Sequence, residues 1–297
     1  MAAPQLFRAL VSSQWVAEAL GAPRTGQALQ LLDASWYLPK TGRDPRREFE
    51  EQHIPGSAFF DIDQCSDRTS PYDHMLPDAE QFAEYAGQLG VGEATHVVIY
   101  DGSDQGLYSA PRLWWMFRAF GHRTVSLLNG GLRHWLSQGL PLSSGKSYPT
   151  PATFRARLDP TFVTTFQEMK ENLESRRFQV VDARPAGRFR GIEPEPREGI
   201  EPGHIPHSTN IPFTEFLTEE GLEKNPEEIR HLFKDKKVDL TQPLVATCGS
   251  GVTACHVVLG AYLCGKTNVP VYDGSWMEWH TRAPPEHIIS EGWGKTH

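Results

Sequence analysis

The chain repeats itself once at long range, and that constrains its fold more than any other feature. Leu31-Leu32-Asp33-Ala34 returns as Val180-Val181-Asp182-Ala183, with the two aspartates 149 residues apart. His53-Ile54-Pro55-Gly56-Ser57 returns as His204-Ile205-Pro206-His207-Ser208 at a spacing of 151, and Val97-Val98-Ile99-Tyr100-Asp101-Gly102-Ser103 as Leu244-Val245-Ala246-Thr247-Cys248-Gly249-Ser250 at 147. A fourth pair, Leu128-Asn129-Gly130-Gly131-Leu132 with Trp135, matches Tyr272-Asp273-Gly274-Ser275-Trp276 with Trp279 at 144. Blocks in one order with slowly drifting spacing are what loop-length changes between two copies of a unit produce. The 297 residues therefore divide into two units, each long enough to bury its own core. Between them, Ser143 to Pro151 is rich in Ser, Gly and Pro and poor in core formers, which marks an exposed linker. We place the first unit at 14–142, the linker at 143–163 and the second unit at 164–288.

Within each unit, short apolar runs alternate with longer amphipathic segments. Val97 to Tyr100, Val125 to Leu128, Gln179 to Val181, Leu244 to Ala246 and Val269 to Tyr272 read as strands covered on both faces. Helices are expected over Ser13 to Leu20 (capped by Ser12 or Ser13), Ser109 to Phe120, Gly131 to Ser137, Thr165 to Glu174, Pro226 to Lys234 and Val252 to Cys264. Thr165 with Glu168 forms a capping box, and Asn225 followed by Pro226 is a cap with proline in the first turn. The alternation argues for an α/β fold, with a mainly parallel sheet flanked by helices in each unit. Trp114, Trp115, Phe117 and Phe120 belong to the first core, since no Gly-rich dinucleotide fingerprint accompanies them.

Composition removes several classes of function. With 29 Lys and Arg against 37 Asp and Glu, the formal charge is −8, which offers no general attraction to nucleic acid or to anionic membrane surfaces. Apolar runs are only a few residues long, far below the roughly 20 needed to span a bilayer. Four cysteines without C-x-x-C spacing suit neither a disulfide framework nor a zinc site and read as free thiols; no metal or organic cofactor site is evident. Met1 to Ala17 carries one Arg and no acid, overlapping with a short mitochondrial presequence, although a capped helix there is the plainer reading. Cytoplasmic and mitochondrial residence are both compatible with it.

The chemistry converges on Cys248. Leu244 to Cys255 reads as a strand, a loop with two glycines and a helix start. Such a loop turns successive backbone N–H groups inward and adds the helix dipole, so a thiolate held there is stabilised in its nucleophilic form. Ser250 either donates to a substrate or caps the helix. A cysteine phosphatase would need Arg to close its Cys-x5-Arg loop, but Ala254 stands there, and Cys255 stands in the position of the one-residue-longer variant. Arg184, Arg188, Arg190 and Arg197 supply forks that match a carboxylate, with Asp182 and Arg184 expected to tie the fold together. Glu193 to Glu198 reads as an irregular excursion packed against the other copy. Cys255 and Cys264, nine apart, fall on opposite helix faces, and Cys264 beside Gly265 is the more exposed and a redox candidate.

The Cys-Gly-Ser-Gly-Val-Thr loop, the duplicated Asp-Ala and His-Ile-Pro blocks and the Tyr272 to Trp279 ending together resemble the rhodanese-type sulfurtransferases, from about Gln14 to Pro284. The resemblance implies two tandem rhodanese-like domains with the active site at the domain interface. It also implies a Cys248 persulfide as the intermediate. The first domain has Asp101 in place of the cysteine and would be non-catalytic. Rhodaneses proper carry Cys-Arg-Lys-Gly-Val-Thr, whose cations suit thiosulfate; Gly249 and Ser250 stand here instead, which implies a less charged donor such as 3-mercaptopyruvate, released as pyruvate. Arg188 and Arg197 would bind that substrate, aided by the loop at Gly249, Gly251, Val252 and Thr253, with Ser250, His74 and Asp63 as a proton relay. The acceptors implied are thioredoxin, dihydrolipoate or cyanide, with hydrogen sulfide liberated on reduction. The chain is expected as a monomer, with Cys264 available for a disulfide-linked dimer. Thiosulfate:cyanide transfer and a non-enzymatic redox-sensing role are the alternatives.

Overall fold

Strands too short for periodicity complete the sheets around the apolar runs. The computed structural model describes residues 6–22 and 26–292; Met1 to Gln5, where the presequence-like stretch begins, lie outside them. The first copy contains β1 (Leu10–Val11), β2 (Leu29–Asp33), β3 (Ala58–Phe59), β4 (His96–Tyr100) and β5 (Val125–Leu128), and the second contains β6 (Val163–Thr164), β7 (Gln179–Asp182), β8 (Thr209–Asn210), β9 (Leu244–Thr247) and β10 (Val271–Tyr272). Each copy forms a five-stranded sheet, ordered β1-β5-β4-β2-β3 and β6-β10-β9-β7-β8, with every pairing parallel. The expected strand at Val269 is shortened to Val271 because Pro270 has no N–H for a ladder; its carbonyl still accepts from Ala246. β1 lies ahead of Gln14, so the first sheet takes in residues upstream of the expected start of that unit.

The helices follow their end signals. They are α1 (Ser13–Gly21), α2 (Pro45–Glu51), α3 (Ala79–Gln88), α4 (Ala110–Ala119), α5 (Gly131–Ser137), α6 (Phe166–Ser175), α7 (Ala186–Arg190), α8 (Pro226–Asp235), α9 (Ala254–Leu263) and α10 (Ser275–Arg282). Ser12, not Ser13, caps α1 by accepting from Trp15 N–H at 3.0 Å. The capping boxes of Thr165 with Glu168 and of Asn225 with Glu228 are both formed. The segment between the copies is less free than its composition implies. Phe154 and Phe162 are buried, and Ala152, Arg157 and Asp159 donate N–H groups to Gly87, Phe120 and Ala119, strapping it along the first copy.

The two copies share one core. A single apolar cluster runs from Leu32, Trp114 and Phe117 into Phe233, Val257 and Leu259, while the outer face of each sheet keeps a smaller cluster of its own. All ten residues of α4 are buried, because the helix is enclosed by its own sheet on one side and α9 on the other. Two arginines are sealed in with it. Arg118 lies over the rings of Trp114 and Tyr262 at 4.6 and 4.7 Å and donates to Thr267 O. Arg112 donates to Asp273 Oδ1 at 2.7 Å, to Gly251 O at 3.0 Å and to His74 O, joining both copies through one guanidinium.

Lesser contacts repeat across a pseudo-twofold axis. Leu76 N–H of the first copy donates to Asp273 Oδ2 at 2.8 Å, and Glu223 N–H of the second donates to Asn129 Oδ1 at 2.9 Å. Gly106, at φ 111°, presses on Gly221, and a Cβ there would lie 2.1 Å from Gly221 O. The contact thus requires glycine for both space and backbone.

Two outcomes follow. Replacing Arg112 by Met leaves Asp273 buried without its cation and should cost about 3–5 kcal/mol in urea unfolding. A cost below about 1 kcal/mol would show that the pair is not the interface anchor. The second concerns His96, whose Nε2 lies 2.9 Å from Ser126 Oγ; that hydroxyl donates to Arg8 O, so Nε2 carries the hydrogen. Burial, helped by the Arg8 cation, pushes its pKa down to about 4. The unfolded chain takes up this proton from about pH 6.5 downward and the folded chain only near 4, so stability should fall with pH across that window. Thermal melts of His96→Gln should show a shallower fall than the parent, and equal slopes would refute the assignment.

Candidate active site

β4 and β9 end at the same edge of their sheets, and the residue leaving each strand is Asp101 in one copy and Cys248 in the other. Both side chains are buried at the centre of the following loop. The Asp101 carboxyl accepts four backbone N–H groups, from Ser103, Tyr108, Ser109 and Ala110, at 2.7–3.0 Å. Cys248 Sγ accepts the N–H of Gly251 at 3.1 Å. α4 starts nine positions after Asp101 and α9 six after Cys248, which accounts for the last step of the drift in repeat spacing, from 147 to 144. The longer loop wraps its own carboxyl completely. The shorter one leaves its sulfur at a cavity.

That cavity, of about 190 Å³, lies between the copies, with Cys248, Gly249, Ser250, Val252 and Thr253 on one side and Trp36 and Tyr108 of the first copy on the other. Arg184, Arg188 and Arg197 line it as well. Each arginine is anchored at its inner end. Arg184 forks onto Asp182 and donates to Glu195 Oε1 at 3.0 Å, both partners buried. Arg188 Nε donates to the other oxygen of Glu195, and Arg197 Nε donates to Asp73 Oδ2 of the first copy at 2.8 Å. Burial alone would raise the Glu195 pKa, but the flanking guanidiniums hold it below the ordinary carboxylate value. The outer ends of the forks crowd the loop: a methyl group on Gly249 would sit 2.8 Å from Arg188 Nη2, which also reaches Glu195 Oε1 at 3.3 Å, and 3.5 Å from Arg197 Nη1. An acidic small molecule entering here meets two guanidinium ends above a buried sulfur.

Ser250, His74 and Asp63 come together. Ser250 Oγ lies 3.0 Å from His74 Nδ1, and His74 Nε2 lies 2.9 Å from Asp63 Oδ1, off the line of the N–H bond. Because a carboxylate only accepts, Nε2 holds the proton of the neutral ring and Nδ1 accepts from the Ser250 hydroxyl. Burial works against the Asp63 charge, but the imidazole, the Trp36 indole N–H at 3.1 Å and Arg197 outweigh it and lower the pKa. His74 has a left-handed backbone, φ 63°, its carbonyl held by Arg112. Ser250 therefore faces the imidazole and does not cap α9, whose cap residue is Thr253.

Other expectations fall elsewhere. Arg190 pairs with Glu291 at the surface, away from the cavity. The irregular stretch at Glu193 to Glu198 touches the other copy through Arg197, but Glu195 turns inward to bracket Arg184 and Arg188, because two buried cations need a shared anion. Cys255 is fully buried under the loop. Cys264 is half-buried at the end of α9, its Sγ donating to Pro226 O at 3.4 Å, and burial pushes its thiol up, which disfavours the thiolate. Sequence reasoning missed Glu195, Asp73, Arg112 and Asp273 as site-building residues. Only Asp273, inside a repeated block, carried any signal. Among the described residues no cluster of His, Cys, Asp or Glu is arranged to hold a metal ion, and no helix is long and apolar enough to cross a membrane.

Comparison with known proteins agrees with this architecture. A profile of the Rhodanese-like domain matches residues 12–138 and again 165–282. The chain is 80% identical to the 3-mercaptopyruvate sulfurtransferase of Homo sapiens, covering 100% of both, and 57% identical to the thiosulfate sulfurtransferase of Rattus norvegicus, covering 97% of each. Its fold superposes on the crystal structure of SseA from Escherichia coli, presented among 3-mercaptopyruvate sulfotransferases, with a TM-score of 0.80 and 37% identity over 90% of this chain and 98% of that one. With its two matched domains, its paired parallel sheets and the cysteine loop of the second, the chain belongs to the rhodanese-like family.

Proposed function

We propose that the chain is a 3-mercaptopyruvate sulfurtransferase working through Cys248. The observation that carries this is the placement of Cys248 Sγ on the floor of a cavity roofed by the Nη ends of Arg188 and Arg197, with glycine at 249 leaving room for them. The 80% identity to a relative bearing that name, against 57% to a thiosulfate sulfurtransferase, supports this donor over thiosulfate. Gly249 and Ser250 also leave the loop itself without the cations a dianionic donor would favour.

In this reading, Arg188 and Arg197 hold the carboxylate and keto oxygen of 3-mercaptopyruvate, and the Cys248 thiolate attacks the donor sulfur. A sulfur–sulfur bond forms, the carbon–sulfur bond breaks, and its electron pair leaves as pyruvate enolate. The thiol proton of the donor ends on that carbon, so pyruvate departs and a Cys248 persulfide anion remains. Ser250, polarised by His74 and Asp63, carries the proton between sulfur and carbon. The N–H of Gly251 and the start of α9 stabilise the developing charge. The outer sulfur then passes to a thiol acceptor, thioredoxin or dihydrolipoate, or to cyanide; a dithiol closing to its disulfide releases hydrogen sulfide.

Intact-mass analysis without reductant, followed by peptide mapping, tests this. Stoichiometric 3-mercaptopyruvate should add one sulfur atom on Cys248 more readily than thiosulfate, and Cys248→Ser should take none. Equal or preferred loading from thiosulfate would reverse the donor assignment, and loading of the serine variant would remove Cys248 from the mechanism. Replacing Glu195 by Gln should loosen Arg188 and raise KM for 3-mercaptopyruvate about tenfold while lowering kcat less. Pyruvate-release kinetics with KM unchanged would show that Glu195 does not position the substrate clamp.

A further inference from the structure

The duplication gives the first copy its own counterpart of the catalytic cleft. A cavity of about 280 Å³ there is lined by Asp33, Ser35, Gly102 and Ser103, the repeat partners of Asp182, Arg184, Gly249 and Ser250. The correspondence holds in space: a Cβ on Gly102 would meet Tyr37 Oη at 2.7 Å, where one on Gly249 meets Arg188. This cleft lies outside the reaction assigned to Cys248, and its charge is reversed. In the second copy Arg184 covers Asp182. In the first, Ser35 is too short to do so; its N–H and hydroxyl both donate to Asp33 Oδ1, at 2.9 and 2.5 Å, and among the described residues Oδ2 has no hydrogen-bond partner. Asp33 is only 3% exposed, and it lines the cavity. The two arginines that line the cavity are already committed: Arg43 forks onto Glu48 at 2.7 Å and donates to Tyr37 Oη and Gly102 O, and Arg133 donates to Glu219 O at 3.0 Å.

A buried carboxyl with one unused oxygen calls for a donor, and an anion would be repelled. Leu132 and Leu136 add an apolar wall beside it. We propose that this cleft is a second binding site, taking a small organic cation whose ammonium group donates to Asp33 Oδ2 while its alkyl part lies on Leu132 and Leu136. The charged and titratable groups around Asp33 and its cavity are Tyr100 and Asp101 from the end of β4, Glu48 and Glu51 from α2, Tyr37 with Arg43 from the loop after β2, Asp104 from the loop after β4, and Arg133 from α5. Burial, opposed by the Ser35 hydrogen bonds and reinforced by Asp101 and Glu48, raises the Asp33 pKa to about 7. The cation binds the ionised form, so affinity weakens by about tenfold for each pH unit below that value.

The test uses the full chain with labelled leucine methyl groups, n-propylammonium as probe, and propionate, propanol and potassium chloride as controls. Saturable shifts of the Leu132 and Leu136 methyls with propylammonium alone are expected, weakened at least about tenfold in Asp33→Asn. Sulfur transfer by that variant should be unchanged. Should Asp33→Asn not fold, the pH dependence of binding to the wild type decides: loss of affinity from pH 8 to pH 5 with a midpoint near 7 supports the site. A flat profile places any binding on the ordinary surface acids and overturns it. Equal shifts from propanol or potassium chloride, or undiminished binding in the variant, overturn it as well.

Discussion

One guanidinium holds the molecule in register. Arg112 leaves the first copy's α4 and reaches a carboxylate, Asp273, and two carbonyls, Gly251 and His74, one of them in each copy's active-site loop. A charge buried this deeply is tolerated only when its partners are fixed, so the requirement runs both ways. The loops must stay where the cation needs them, and the cation keeps them there. Gly251 donates to the Cys248 sulfur and His74 accepts from the Ser250 hydroxyl, so the relation between nucleophile and imidazole is set by a residue whose side chain touches neither.

The duplicated loop shows one scaffold serving two ends. Each copy brings a side chain to the strand edge and surrounds it with backbone N–H groups and the start of a helix. In the first copy the loop is long enough to satisfy a carboxyl completely, leaving nothing to react. In the second, three fewer residues leave the sulfur with one internal donor and an open side. The arginines respond to the same difference. They gather over the copy with the open loop, Arg188 and Arg197 each tethered at Nε by a carboxylate with a terminal nitrogen set over Gly249.

Much of this was legible in the sequence because the repeats fall on the functional strand edges. The Asp-Ala blocks mark where β2 and β7 end, the Asp-Gly-Ser and Cys-Gly-Ser blocks where β4 and β9 end, and the His-Ile-Pro blocks lead into β3 and β8, while cap residues such as Asn225 and Thr165 fixed helix starts. What escaped was short or non-local. Two-residue strands carry no alternation, and the five residues of α7 are too few to show a helical period. Arg112 lies in the apolar pattern of α4, and nothing local announces that its partners stand 139 and 161 residues away. Glu195 looked like part of a charged surface excursion, because the buried cations that draw it inward are evident only once the chain is folded.

The enclosure of α4 also bears on the history of the chain. A helix with no solvent-facing side, carrying Arg112 and Arg118 among tryptophans, has no stable form outside the pair. Whatever single unit was duplicated must have had a wetter version of this helix. Once its outer face turned apolar and its arginine found a carboxylate in the sister copy, reversion to a free-standing unit would require several coordinated changes. The tandem is thus entrenched: the half without the cysteine persists because the other half can no longer be built without it, and its spare cleft is free to drift or to be recruited.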